Sequence, residues 1–187
     1  MSESSAILAA MYEGNTDALA ALLATRPELD VFEAAAVGDA ARIRVLVRAR
    51  PALVTAVSGD GWTALHLAAY FGQGEAVERL LAVGADPRVP SRNRLANTAL
   101  HAALAGRGNL RIIAALIARG ADVETPAAGG YRPLHLAAAR GDVSIIDMLL
   151  VRGARVTVRA EDGRTPLGIA EERGQVAAAR RLRGEMA

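Results

Sequence analysis

Histidine is the side chain most often used for acid–base chemistry and metal binding near neutral pH. The chain has three, His66, His101 and His135. A catalytic or metal site needs such groups to converge on one point, whereas these lie 35 and 34 residues apart, a nearly constant spacing. Constant spacing predicts that each histidine has the same structural role in a repeated unit. We therefore expect no catalytic site, no metal site and no cofactor.

Other groups that carry chemistry are sparse. The chain has no Cys, which excludes disulfides, thiolate metal sites and cysteine nucleophiles. A phosphate-binding glycine loop needs a strand before it and a helix directly after it. The glycine pairs here fit a hairpin turn or the connection between two helices: Gly59/Gly61, Gly72/Gly74 and Gly106/Gly108. Neighbouring carboxylates such as Glu171 and Glu172 fit a solvated surface. We predict that the protein is not an enzyme.

A four-residue segment recurs along the chain. Its copies, Thr63–His66, Thr98–His101, Arg132–His135 and Thr165–Gly168, begin 35, 34 and 33 residues apart. An alanine pair, or a single Ala in the last copy, follows each segment. An apolar pair and then Gly-Ala come later in the first three copies, the apolar pairs being Leu80-Leu81, Leu116-Ile117 and Leu149-Leu150. Several fixed positions recurring at one period predict stacked structural repeats.

These residues resemble the ankyrin repeat, with its T-P-L-H-x-A-A segment, turn glycine, apolar pair and G-A-D ending. The resemblance is strong over 59–187 and weaker over 1–57. It implies one domain over 1–187, an all-α solenoid of about six stacked helix-turn-helix units with protruding hairpin loops, here called fingers. We predict first helices near 3–12, 31–37, 64–71, 99–106, 133–140 and 166–173. The first two pairs should stack without a long finger, because their matching segments lie only 24 residues apart.

Each recurring position has a physical reason. Small alanines let neighbouring units approach closely, and the apolar pair fills the space between units, so Leu80, Leu116 and Leu149 should be buried. The glycine after the second helix supplies a left-handed cap. One unit carries two extra residues within 86–97 and one more near Gly106–Gly108, which loops accommodate at low cost.

Composition limits the location and partners of the chain. The net charge is only +2, and all 22 basic residues are Arg. The amino terminus has no basic leader, and no segment approaches the roughly 18–20 apolar residues of a membrane helix. We expect a cytoplasmic monomer with no membrane association.

The resemblance implies a function in binding another protein, through a concave face made by the fingers and the outward face of each first helix. An inhibitor, an immunity factor or an adaptor fits equally well. The family's variable contact positions correspond here to Trp62, Tyr70, Phe71, Arg94, Asn97, Tyr131, Arg140, Arg164 and Arg173. Four of the six aromatic residues lie at such positions, and binding energy tends to concentrate in Trp, Tyr and Arg.

Two interpretations of the aromatic residues stay open. If they contact a partner, replacing Trp62, Tyr70 and Phe71 together by polar residues should abolish binding and leave the fold near its original stability. If they pack the hairpin and the helices instead, the same change should lower stability. Tyr70 and Phe71 are adjacent on one helix, so we expect at least one large ring to stay exposed.

Nucleic-acid binding is the alternative function. It would use the finger arginines, namely Arg88, Arg92, Arg94, Arg155, Arg159 and Arg164. Acidic residues near these arginines offset their positive charge, and they are Asp86, Glu124, Glu161 and Asp162. No Lys reinforces it. We therefore regard nucleic acid as the less favoured partner.

Overall fold

The computed structural model describes residues 5–25 and 28–185. Within these residues the chain forms twelve α-helices in six consecutive pairs. They are α1 Ala6–Glu13, α2 Thr16–Ala24, α3 Val31–Val37, α4 Ala40–Ala49, α5 Ala64–Tyr70, α6 Gly74–Ala82, α7 Ala99–Ala105, α8 Leu110–Ala118, α9 Pro133–Arg140, α10 Val143–Val151, α11 Pro166–Glu172 and α12 Val176–Gly184. One-turn 3-10 helices cover Pro51–Val54 and Ala128–Gly130.

The predicted all-α fold is confirmed. The first helices begin within about three residues of the predicted positions, although the predicted start at residue 3 lies outside the described residues. The only β pairing in the described part of the chain is an isolated antiparallel bridge between Val57 and Thr63. None of the helices there is long and apolar enough to cross a membrane.

Successive units stack helix on equivalent helix. Helices α5, α7, α9 and α11 pack side by side, and α4, α6, α8, α10 and α12 form a second row. Leu80, Leu116 and Leu149 on the second row are fully buried, as predicted. The alanines at matching positions of the first row, such as Ala68 and Ala103, are also fully buried, and their small side chains allow neighbouring units to approach closely.

Polar residues precede the first helices, and a glycine with positive φ follows the second helices α6, α8 and α10. The Asp30 carboxylate accepts from the backbone N–H groups of Phe32 and Glu33 at 2.8 Å, which begins α3. Beyond α6, Gly84 has a φ of 95°. Only glycine adopts this left-handed conformation without strain, which explains the Gly-Ala that closes the unit.

Backbone hydrogen bonds join the fingers to one another. Arg92 N–H donates to Gly61 O at 2.8 Å, Ala128 N–H to Leu95 O at 2.9 Å and Glu161 N–H to Gly129 O at 2.8 Å. Helix α2 ends at Ala24 and α3 begins at Val31, so no long finger separates the first two pairs, as predicted. The fingers thus form one ladder that begins with the loop before α5.

The extra residues near Gly106–Gly108 form a bulge against the preceding unit. The N–H of Arg107 donates to Tyr70 O at 2.6 Å. A Cβ on Gly106 would lie 2.1 Å from that same oxygen, so only glycine fits there. The bulge therefore fastens the end of α7 to the end of α5.

Candidate protein-binding surface

The three histidines join each unit to the next. The Nε2 atom of His66 lies 2.8 Å from Asn97 O, that of His101 lies 3.3 Å from Tyr131 O, and that of His135 lies 3.3 Å from Arg164 O. A carbonyl oxygen can only accept, so Nε2 carries the proton and donates. Nδ1 then accepts, for example from Thr98 N–H at 3.3 Å. Each ring holds the end of the following finger, which confirms its structural role.

Burial keeps these rings neutral. Desolvation lowers the pKa of His66 and of His135, and it lowers the pKa of His101 to about 4. A neutral ring is required for the pattern of one donor and one acceptor. No group of three or more His, Cys, Asp or Glu side chains able to hold a metal ion occurs in residues 5–25 and 28–185.

An aromatic cluster lies at the ends of α1 and α5. The Tyr70 ring lies 5.2 Å from Trp62 and 5.1 Å from Phe71 between centroids, in both cases edge to face. Tyr12 completes the cluster at 5.1 Å from Phe71 and 6.0 Å from Tyr70. Edge-to-face and tilted arrangements of this kind are favourable for aromatic rings. The cluster therefore stabilises the junction of α1 with α5.

Burial distinguishes the members of this cluster. Trp62 is 7% exposed and Phe71 is 6% exposed, whereas Tyr70 is half-buried and Tyr12 is 45% exposed. The expectation that Trp62, Tyr70 and Phe71 can be replaced together at little cost in stability does not fit the burial of Trp62 and Phe71. Contrary to expectation, neither Tyr70 nor Phe71 is exposed; the exposed ring of the cluster is that of Tyr12, which is not among the predicted contact residues.

A signal for Tyr12 was present in the sequence. It precedes Gly14 by two residues, as Tyr70 precedes Gly72, and Gly14 and Gly72 both have positive φ at the end of a first helix. The weak match of the first unit to the repeat hid this equivalence.

Two of the predicted contact residues come together on the first-helix side. Arg140 and Arg173 line a depression of about 350 Å³ with Leu104, Ala105, Leu136 and Ala139. Nη1 of Arg140 donates to Ala103 O and Gly106 O, both at 3.3 Å. Arg173 is exposed, and the described residues offer its side chain no hydrogen bond or ion pair. We call these residues the basic patch.

The other predicted contact residues lie along the fingers. The Arg94 side chain is exposed and makes no ion pair with a described residue. The backbone carbonyl of Asn97 accepts the hydrogen bond from His66. The Tyr131 hydroxyl donates to Asp162 at 2.6 Å, and Arg164 pairs with that carboxylate at 2.9 Å. Arg94 is therefore available to a partner.

A depression of about 600 Å³ lies among the second helices. Three of its charged side chains are engaged within the protein. Arg111 pairs with Glu78 at 2.8 Å, and Arg119 donates to Leu81 O at 2.9 Å. It is distant in the fold from the predicted contact residues, and it gives no arrangement for chemistry.

These features define a solenoid of helix-turn-helix repeats whose histidines and fingers link successive units. Comparison with known families agrees: a family model described as ankyrin repeats (3 copies) matches residues 2–127 and 105–186. The chain therefore belongs to the ankyrin repeat family. No curated protein matches it. Ankyrin repeats are generally protein–protein interaction modules and are typically non-catalytic.

Proposed function

We propose that this chain binds another protein, without catalysis, along the surface formed by its fingers and the outward ends of its first helices. The observation that carries the proposal is the basic patch. There one guanidinium, that of Arg140, is held in place by two carbonyl oxygens, and the exposed Arg173 stands beside it. A cation held in advance loses little entropy on binding, so the patch suits a carboxylate on a partner.

The fingers support the same proposal. Their backbone ladder and the three histidine contacts position the loops that carry Arg94, Asn97, Tyr131 and Arg164. Binding residues on loops that a scaffold holds in place are typical of recognition proteins. A cytoplasmic monomer that inhibits, protects or scaffolds one partner is the form of the function we propose.

Capture of the partner from native cell extract tests the proposal. The full chain should be compared with the double variant Arg94→Glu/Arg173→Glu and with Arg152→Glu, whose exposed side chain lies at the end of second helix α10. We expect the double variant to lose its partner by at least tenfold, because it reverses two accessible charges. The Arg152→Glu control should retain it. Equal capture by all three proteins would refute the proposal.

Nucleic-acid binding through the finger arginines is less well supported. Arg88 pairs with Asp86, Arg155 with Glu124, and Arg164 with Asp162 and Glu172. Arg159 donates to Gly163 O at 3.0 Å. Only two of the six finger arginines, Arg92 and Arg94, lack a partner for the side chain within the described residues. A salt titration tests this alternative, since phosphate contacts lose affinity steeply with salt.

A further inference from the structure

The bulge near Gly106–Gly108 contributes to the depression in the basic patch. On one side it lies against α5, where Arg107 N–H donates to Tyr70 O at 2.6 Å. On the other side Arg140 of α9 reaches it, and Nη1 of Arg140 donates to Gly106 O at 3.3 Å. Gly106 also lines the depression of about 350 Å³. The extra residue of this unit therefore helps to form a feature that a regular repeat does not specify.

Much of the lining of the depression is apolar. Leu104 of α7 is 3% exposed and Leu136 of α9 is half-buried, and both line the depression. Ala105 and Ala139 complete the apolar lining, and their short side chains leave the space open. A volume of about 350 Å³ lies in the lower part of the range typical of binding pockets, and it exceeds that of one leucine side chain. The depression can therefore remove an apolar side chain of a partner from water.

Two cations border this apolar lining. Arg140 donates to Ala103 O and Gly106 O, which are carbonyl groups at the end of α7. These carbonyls belong to the negative end of the helix dipole, and the Arg140 guanidinium offsets their charge. Arg173 is exposed at the end of α11. The described residues that line the depression include no Asp or Glu, so the formal charge of this lining is positive.

The depression lies at the turn end of the helix pairs, opposite to the fingers. The described ranges begin or end at the finger end, because Ser5 precedes α1, Thr25 follows α2, Glu28 precedes α3 and Glu185 follows α12. The first helices α7, α9 and α11 have seven or eight residues each. The depression is therefore a helix length, on the order of 10 Å, from the finger end of the solenoid.

We propose that the depression receives an apolar side chain of the partner, such as Leu, that has carboxylates on both sides in the partner's sequence. The apolar side chain packs against Leu104 and Leu136, and the carboxylates lie by Arg140 and Arg173. The apolar lining supplies affinity, and the two arginines select acidic over basic segments. The inference rests on the proposed protein-binding function and names the chemistry that the partner presents to the basic patch.

Three capped pentapeptides test the depression on the full chain. The first has Leu between two pairs of Glu, the second has Arg in place of every Glu, and the third has Ala in place of the Leu. We expect the first peptide, at millimolar concentration, to shift the methyl signals of Leu104 and Leu136 in NMR spectra. The other two should bind at least about fivefold more weakly, because one reverses the charge and the other lacks the apolar side chain. Equal shifts with all three peptides, or none with any, would show that the inference is wrong.

Filling the depression gives a matched pair of variants. Ala105→Phe adds a ring to the lining of the depression, whereas Ala118→Phe adds the same ring to α8 in the second row of helices. Both alanines are exposed, so neither variant should unfold the chain. We expect Ala105→Phe to abolish binding of the Glu-Leu peptide and Ala118→Phe to leave it unchanged. Binding that survives Ala105→Phe overturns the inference.

A second set of variants isolates the exposed cation. Arg173→Glu reverses its charge, Arg173→Lys keeps the charge, and Arg152→Glu is the control at the end of α10. We expect Arg173→Glu to weaken binding of the Glu-Leu peptide by about tenfold, and the other two to change it by less than about threefold. If Arg173→Glu binds the peptide as the wild type does, no carboxylate lies by Arg173 and the inference fails.

A second copy of this chain is the alternative occupant. Sedimentation tests it: a dimer that Ala105→Phe converts to a monomer would mean that the depression binds another copy, and the inference would be wrong. A monomer in both proteins agrees with the inference.

The two proposals can fail separately. If the partner from cell extract is lost with Arg94→Glu/Arg173→Glu but kept by Ala105→Phe, the inference about the depression is wrong and the protein-binding function stands. If none of these variants affects capture, both are wrong.

Discussion

The phenolic hydroxyl of Tyr12 lies 2.7 Å from a carboxylate oxygen of Asp60, 48 residues further along the chain. Tyr12 belongs to the first helix pair and Asp60 to the finger that begins the third, so the contact passes over the second pair. Burial and the Asp60 carboxylate both hold the pKa of the Tyr12 phenol above its usual range. The contact therefore ties the divergent first pair to the regular part of the solenoid.

Tyr12→Phe should loosen the first helix pair. The variant keeps the ring in the aromatic cluster but loses the hydrogen bond, which should cost about 1 kcal/mol of unfolding free energy. Hydrogen exchange should increase in α1 and α2 relative to α7. The control is Tyr131→Phe, which removes the similar 2.6 Å bond to Asp162 at the other end of the ladder. Unchanged exchange in α1 would contradict the linking role.

Leu116→Ala should be strongly destabilising. Leu116 of α8 is fully buried, and α8 packs against α6 and α7, so its truncation leaves a cavity. We expect the free energy of unfolding in urea to fall by roughly 2–5 kcal/mol. The control Val151→Ala removes a side chain that is 82% exposed, and it should change stability by less than about 0.5 kcal/mol. Equal effects would show that Leu116 is not an interface residue.

His101 should make stability depend on pH. Its pKa is about 4 in the folded chain, against 6.5 for the free side chain, so the unfolded state binds the proton more tightly. The contribution of the neutral ring to the free energy of unfolding is therefore fully present above pH 6.5 and is lost as the pH falls toward 4. The difference between the two pKa values corresponds to about 3 kcal/mol of unfolding free energy. Urea unfolding of the wild type and of His101→Gln at pH 5 and pH 7 measures it.

The His101→Gln variant should show a smaller loss between pH 7 and pH 5 than the wild type. Some dependence should remain, because burial lowers the pKa of His66 and His135 in the same direction. Equal losses in the two proteins would mean that His101 is not a neutral buried ring in the folded state.

Replacement of the buried aromatic residues should lower the melting temperature. Phe71→Ser removes a ring that is 6% exposed, which should cost roughly 3–5 kcal/mol if it resembles other buried phenylalanines. Tyr70→Ser should cost less, because Tyr70 is only half-buried. Calorimetry and partner capture on the same variants separate core from contact residues. Lost capture with an unchanged melting temperature of Phe71→Ser would restore the contact role for Phe71.

Gly106→Ala should disrupt the bulge. The added Cβ would lie 2.1 Å from Tyr70 O, a backbone atom that cannot move alone, so the ends of α5 and α7 must separate. We expect a loss of roughly 1–3 kcal/mol. The control is Gly184→Ala at the end of α12, where a Cβ meets no atom within 4 Å. It should be neutral or slightly stabilising, since alanine favours helix more than glycine.

The repeat period by itself determined the family, the helix pairs and the role of the histidines. Thr98 and His101 recur at the positions of Thr63 and His66, and stacked units repeat the same local contacts wherever the same residues recur. Burial of Leu80, Leu116 and Leu149 followed from the same rule. Equivalent positions in neighbouring units meet equivalent neighbours, which is why one unit predicts the next.

Only the tertiary structure decided which aromatic rings are buried. Tyr12 reaches Phe71 and Asp60, a contact between units that are not neighbours. A repeat pattern describes a unit and its nearest neighbours, so it does not contain such a contact.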